Sequence, residues 1–230
     1  MKIGGFQKTS LLDYPETISA IIWTAGCNFS CPFCYNKDLV KGKTSVFPEE
    51  EILDFLKKRK GLLDGLVITG GEPLIQEDIV EFCEKVKKIG YLIKIDTNGT
   101  NPEKLQELID KKLVDYIAID IKAPKEKYDQ LTGVKTDLSK IEKSIEIIKK
   151  YAPNYEFRIT IVPNILNKED IVNIAKWLEG AKKFYIQQFK SNIPLISSKL
   201  ENIAPCQKEY LVEILNEIKP FFNSCFIRGI

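Results

Sequence analysis

The sequence predicts an α/β fold: a partial, open (β/α)6 barrel of the TIM-like kind, built as a single domain. Three observations lead there. From Ile18 onward, short runs rich in β-branched and aromatic residues alternate with longer amphipathic runs, the pattern of repeated βα units. Strands such as Ile93-Lys94-Ile95-Asp96 and Ile117-Ala118-Ile119-Asp120 end on a polar residue where the chain turns toward the next helix, which points to one active face at the carboxyl ends of the strands. About six units emerge from 230 residues, whereas a closed eight-unit barrel needs about 250. A doubly wound open sheet is the rival architecture.

In chain order, strands are expected at 18–24, 66–69, 92–96, 116–120, 156–162 and 184–188, with a last strand at 224–228. Helices are expected between them at 49–60 behind Pro48, then at 77–89, 102–111, 139–151, 168–178 and 206–218. Proline or an acidic residue opens several of these helices, and Gly61, Gly90 and Gly180 follow three of them as stops. Lysine-rich stretches such as 57–60 and 85–88 read as solvated helix ends, where cations are favoured. No linker rich in Pro, Gly or Ser divides the chain. Residues 1–17 are expected as an N-terminal extension and 18–230 as the barrel domain.

Composition narrows the chemistry. The 44% hydrophobic content supplies an ordinary globular core, and no apolar run approaches the ~20 residues needed to span a bilayer. The first residues lack the apolar core of a secretion signal, so a cytoplasmic location is expected. Thirty-four basic residues against 32 acidic ones leave a net charge of +2, which gives no electrostatic case for a nucleic-acid or membrane partner. Histidine is absent, and with it every mechanism that needs an imidazole as acid, base or metal ligand.

Three of the six cysteines, Cys27, Cys31 and Cys34, fall within eight residues directly after the first expected strand. Three closely spaced thiolates can hold three irons of a four-iron cluster and leave the fourth open as a chemical site. A zinc site completed by a distant cysteine is the alternative, although structural zinc usually draws on paired C-x-x-C units or histidine. Cys83 sits at apolar helical spacing and reads as core; Cys206 and Cys225 read as core, a second metal pair or a thiol couple.

The C-x3-C-x-aromatic-C spacing resembles that of the radical S-adenosylmethionine superfamily, and further segments follow in that superfamily's order. Gly70-Gly71-Glu72-Pro73 is similar to its GGEP motif, which holds the methionine amino group of the cofactor. Asp96-Thr97-Asn98-Gly99 and Asp120-Ile121-Lys122 resemble the D-T-N-G and D-[LI]-K segments of glycyl radical enzyme activases, in which the aspartates are associated with a cation site and the lysine reaches the cofactor. Arg158 opens a stretch similar to their R-x-x-[VI]-[VI]-P strand, with structural salt bridging as an equal reading. Leu131-Thr132-Gly133 is similar to the L-T-G stretch that follows the D-[LI]-K segment in those activases, and the 5–15 segment and Gln187-Gln188-Phe189 resemble one branch of that family, the anaerobic ribonucleoside-triphosphate reductase activating proteins. The resemblance therefore implies a cofactor pocket of Phe33, Asn36, Gly70, Gly71, Glu72, Pro73, Asp96, Thr97, Asn98, Asp120, Lys122 and Arg158, with Phe33 packing on the adenine. Tyr35 and Lys190 depart from the pattern, at positions where activases commonly, or some relatives, carry histidine.

What the resemblance implies is an enzyme with two cofactors, a [4Fe-4S] cluster and S-adenosylmethionine. The cluster would take one electron from a flavodoxin or ferredoxin and cleave S-adenosylmethionine to methionine and a 5′-deoxyadenosyl radical, which abstracts hydrogen from a backbone glycine of a partner enzyme. The cofactor carries the hard chemistry, so no side-chain acid or base is required. The expected partner is a glycyl radical enzyme, the anaerobic ribonucleotide reductase. A radical S-adenosylmethionine enzyme acting on a small molecule or an RNA base is the alternative, and a non-catalytic metal module the third reading.

Overall fold

The computed structural model describes all 230 residues. Eight strands hydrogen-bond in chain order into one sheet, β1 to β8. They are β1 (Ile3–Ser10), β2 (Ser19–Thr24), β3 (Gly65–Gly70), β4 (Leu92–Thr97), β5 (Tyr116–Asp120), β6 (Tyr155–Ile161), β7 (Lys183–Gln188) and β8 (Ser224–Arg228). The helices are α1 (Lys37–Val40), α2 (Glu49–Lys58), α3 (Ile79–Ile89), α4 (Pro102–Asp110), α5 (Tyr128–Thr132), α6 (Leu138–Tyr151), α7 (Lys168–Trp177) and α8 (Lys208–Ile218). Every strand and helix expected from the sequence is present, and no helix is long and apolar enough to cross a membrane.

The chain divides into two compact units. The first comprises Met1–Asn28, Asp38–Ala118 and Ser139–Asn154. Within it β2, β3 and β4 are parallel neighbours, so their carboxyl ends lie on one edge of the sheet. Both faces of these strands are buried, as a parallel sheet covered on both sides requires. Ile52, Leu56, Phe82, Cys83, Val86, Leu105 and Leu108 bring the apolar stripes of α2, α3 and α4 into the core.

The sequence reading assigned no strand before residue 18, yet residues 3–10 form β1, antiparallel to β2 with Ile3 opposite Thr24 and Ser10 opposite Ser19. After β1 the chain folds back so that Tyr14 packs with Ile21, Val67 and Tyr116, and Trp23 lies against them. Gly65 is the residue that admits this ring, because a Cβ there would stand 2.9 Å from Tyr14 Cδ1. Buried Lys94 donates to the Asp13 carbonyl at 2.6 Å, which ties the returning segment to β4.

The second unit comprises Phe29–Lys37, Ile119–Leu138 and Tyr155–Ile230. In it β6, β7 and β8 run parallel, with Arg158 opposite Tyr185 and Gln187 opposite Arg228. Phe157, Ile159, Phe184 and Ile186 are buried, together with Ile171, Ile174, Leu211 and Ile214 from α7 and α8. A capping box fixes the start of α7: the Asn167 side chain accepts from the Asp170 N–H, and the Asp170 carboxylate accepts from the Asn167 N–H.

Candidate cofactor site

In the first unit the site residues gather around one carboxylate. Gly70 has φ +121°, a backbone region that L side chains rarely adopt. The turn it makes lies directly on the chain that leads into Cys27: Gly71 N–H donates to Thr24 O, and Glu72 N–H to Gly26 O, both at 2.9 Å. A Cβ on Gly71 would stand 1.9 Å from the Gly26 oxygen. The glycine is thus required by backbone meeting backbone, beside whatever ligand approach it permits.

Glu72 then turns inward and is 1% exposed. Its Oε1 accepts from Leu74 N–H at 3.0 Å and from Thr97 Oγ1–H at 2.6 Å, and its Oε2 accepts from Asn98 N–H at 2.7 Å. One buried carboxylate therefore ties the loop after β3 to the loop after β4. Pro73 is buried and opens a short 3-10 turn. Asn98 passes the connection on, donating from Nδ2 to Asn28 Oδ1 at 2.8 Å, while Asn28 Nδ2 donates to Thr100 Oγ1 at 2.8 Å. Sequence reasoning overlooked Asn28, although its place beside Cys27 was the available signal. Asp96 pairs with Lys94 on the same face of β4 at 2.9 Å.

In the second unit the cysteine loop is held by its backbone. Phe29 is buried, and Ser30 N–H donates to Thr132 O at 2.8 Å. Gly133 beyond it has φ +70°, and a Cβ there would stand 2.4 Å from the Ser30 oxygen. The Leu131-Thr132-Gly133 stretch thus braces the loop. On its other side Ile196 N–H donates to Cys34 O at 3.0 Å and Ser197 N–H to Pro32 O at 2.9 Å. Phe33 and Asn36 are half-buried, and Asn36 N–H points to the Cys34 sulfur. The two departures from the family pattern meet here, with Lys190 Nζ 5.2 Å from the Tyr35 ring centre.

Cys31 is 7% exposed, and burial pushes its thiol up to about 11 against the opposing charge of Lys122. Burial raises Cys34 in the same way. At the end of β5, Asp120 accepts from Arg158 Nε at 2.8 Å and faces Lys122 Nζ at 3.4 Å. Burial works to raise its pKa, but Arg158 and Lys122 hold the carboxyl well below the usual carboxylate range. Arg158 also lies 3.8 Å from Glu156, which Arg228 grips with both terminal nitrogens. The Glu156–Arg228 pair was missed in the sequence, where the signal was two charges at alternate positions of an otherwise apolar strand.

All six cysteines are free, and no three His, Cys, Asp or Glu side chains are gathered around a single ion position. A four-iron cluster takes each thiolate on a different iron, a donor set that three cysteines within eight residues of sequence can supply, and no imidazole competes with them.

A model described as the Radical SAM superfamily matches residues 21–178. The chain is 40% identical over 236 residues to a protein of Methanocaldococcus jannaschii named "Putative glycyl-radical enzyme activating enzyme", covering 99% of this chain and 96% of that one. Among solved structures, a domain of a pyruvate-formate lyase-activating enzyme from Bacteroides vulgatus superposes with a TM-score of 0.57 at 16% identity, covering 72% of this chain and 99% of that one. SuiB of Streptococcus suis bound to S-adenosylmethionine superposes with a TM-score of 0.64 at 16% identity, covering 90% of this chain and 49% of that one. At such identities these structures speak for the fold, a partial barrel, and for nothing more.

Proposed function

This chain belongs to the radical SAM superfamily, and we propose that it activates a glycyl radical enzyme, most specifically an anaerobic ribonucleoside-triphosphate reductase. It is an enzyme of that superfamily, and its cofactors are a [4Fe-4S] cluster and S-adenosylmethionine. When bound, these supply one-electron reductive cleavage of a carbon–sulfur bond and the hydrogen abstraction that follows. The observation that carries the activase reading is the match to an activating enzyme that runs through 99% of this chain and 96% of the relative.

In this reading Cys27, Cys31 and Cys34 hold three irons of the cluster. Gly70, Gly71, Glu72 and Pro73 present backbone to the methionine end of S-adenosylmethionine. Glu72 acts by fixing Thr97 and Asn98, and so keeps both loops in register when the cofactor binds. Asp120, Lys122 and Arg158 of the second unit, and Asp96 of the first, are each assigned to the cofactor, and Lys122 meets an anionic group because its neighbours hold it protonated against the cost of burial. Phe33 and Asn36 flank the third cysteine for the adenine. An electron donor of the flavodoxin or ferredoxin kind completes the reaction. The test is to reconstitute the cluster anaerobically, add dithionite, S-adenosylmethionine and full-length anaerobic ribonucleotide reductase, and look for a glycyl radical by electron paramagnetic resonance. A doublet on the partner is expected; cofactor cleavage without it would remove the partner from the reading.

A further inference from the structure

A line of alternating charge runs across the second unit, and its far end lies away from the residues assigned to the cofactor. Within this unit Arg158 on β6 meets Asp120 Oδ1 at 2.8 Å from Nε and Glu156 Oε1 at 3.8 Å from Nη1. Glu156 is fully buried. A buried carboxylate favours a cation beside it, because burial penalises its charge. With a weaker hold from Arg228 it would draw more on Arg158, its other cation in this unit, in competition with Asp120.

Arg228 removes that competition. It reaches from β8 across β7 to Glu156, donating from Nη1 at 2.7 Å and Nη2 at 3.0 Å in the paired geometry that a guanidinium offers a carboxylate. Its Cζ lies 3.5 Å from the centre of the Tyr185 ring, and that ring is stacked on Phe226 with centroids 5.1 Å apart. Stacking and fork together fix the guanidinium before any ligand arrives. We propose that Arg228 is a positioning residue: by saturating Glu156 with both terminal nitrogens, it keeps Arg158 committed to Asp120. The consequence for S-adenosylmethionine rests on the reading that Asp120, Lys122 and Arg158 belong to its pocket.

The test uses the full-length, cluster-loaded protein and four variants: R228Q, R228K, the double variant E156Q/R228Q, and R158Q. The chain has three arginines, so its Nε–H spectrum holds three signals, and the signal of Arg158 reports its bond to Asp120 directly. In R228Q, Glu156 should draw Arg158 away, so that exchange of the Arg158 Nε proton quickens about tenfold and S-adenosylmethionine binding by calorimetry weakens about tenfold. The double variant removes the competing carboxylate as well, and both measures should return to within about twofold of the wild type. R228K keeps the charge without the fork and should shift both measures in the direction of R228Q, which serves if R228Q does not fold. Unchanged proton exchange in R228Q or R228K, or a double variant as impaired as the single one, overturns the proposal. R158Q binding S-adenosylmethionine as the wild type does would sink the pocket reading instead, and the exchange rates alone would then judge Arg228.

Discussion

Gly71 illustrates how a residue can be legible in the sequence while its reason is not. The Gly-Gly-Glu-Pro turn can be read from its composition, and ligand approach is the reason the sequence offers for its glycines. The structure adds that a Cβ at Gly71 would stand 1.9 Å from the oxygen of Gly26, next to Cys27. Gly71→Val should therefore displace the start of the cysteine loop, and iron per chain after reconstitution should fall by half or more rather than S-adenosylmethionine affinity alone. Full iron content in that variant would contradict this. Cys83 is the opposite case, since its helical spacing alone marked it as core and it is fully buried. Cys83→Ala should cost about 1 kcal/mol of stability and leave iron content unchanged. Burial raises its thiol from 9.0 to about 12. Below the lower value the thiol is protonated in both states and stability does not depend on it. As pH rises through that window the unfolded chain ionises first, so stability falls. Urea denaturation at stepped alkaline pH should show a shallower decline in Cys83→Ala than in the wild type; equal slopes would refute the assignment.

Between elements, the decisive contacts are those that no periodicity announces. Strands β2 to β8 could be found because β-branched runs between turn signals mark them, and helices because their apolar stripes repeat. Strand β1 escaped because Ile3-Gly4-Gly5-Phe6-Gln7-Lys8-Thr9-Ser10 carries two glycines and an exposed polar run at residues 7–9, so its strand character comes from pairing with β2. Helix α8 begins at Lys208 rather than 206, since Gln207 keeps an extended backbone with ψ 145°. The role of Glu72 as a strut needs β3 and β4 side by side and is invisible in one dimension. In Glu72→Gln the Nε2 group would face either the Asn98 N–H or the Leu74 N–H, donor against donor. A loss of about 1–3 kcal/mol in urea unfolding is expected, with weaker S-adenosylmethionine binding. Asn167→Ala, which removes the α7 cap, should lose about 1 kcal/mol and leave cofactor binding untouched. Equal effects of the two variants on cofactor binding would show that Glu72 acts only through stability.

For the whole molecule, the order of βα units foretold the α/β class and the placement of Gly70, Asp96 and Asp120 at the carboxyl ends of β3, β4 and β5, whereas Arg158 lies within β6. The charged line from Lys122 through Asp120, Arg158 and Glu156 to Arg228 was not foretold, because it depends on the register of β5, β6, β7 and β8 and on side chains that cross a strand. Within this frame the claim with most at stake is that the hydrogen removed comes from a protein glycine. The most direct measurement places deuterium at the α-carbon of glycine in a full-length glycyl radical enzyme and incubates it with the reconstituted protein, dithionite and S-adenosylmethionine. Deuterium recovered in 5′-deoxyadenosine, together with a glycyl radical signal on the partner, is the expected result. Deoxyadenosine that takes no deuterium from any glycyl radical enzyme but acquires it from a labelled small metabolite would contradict the account.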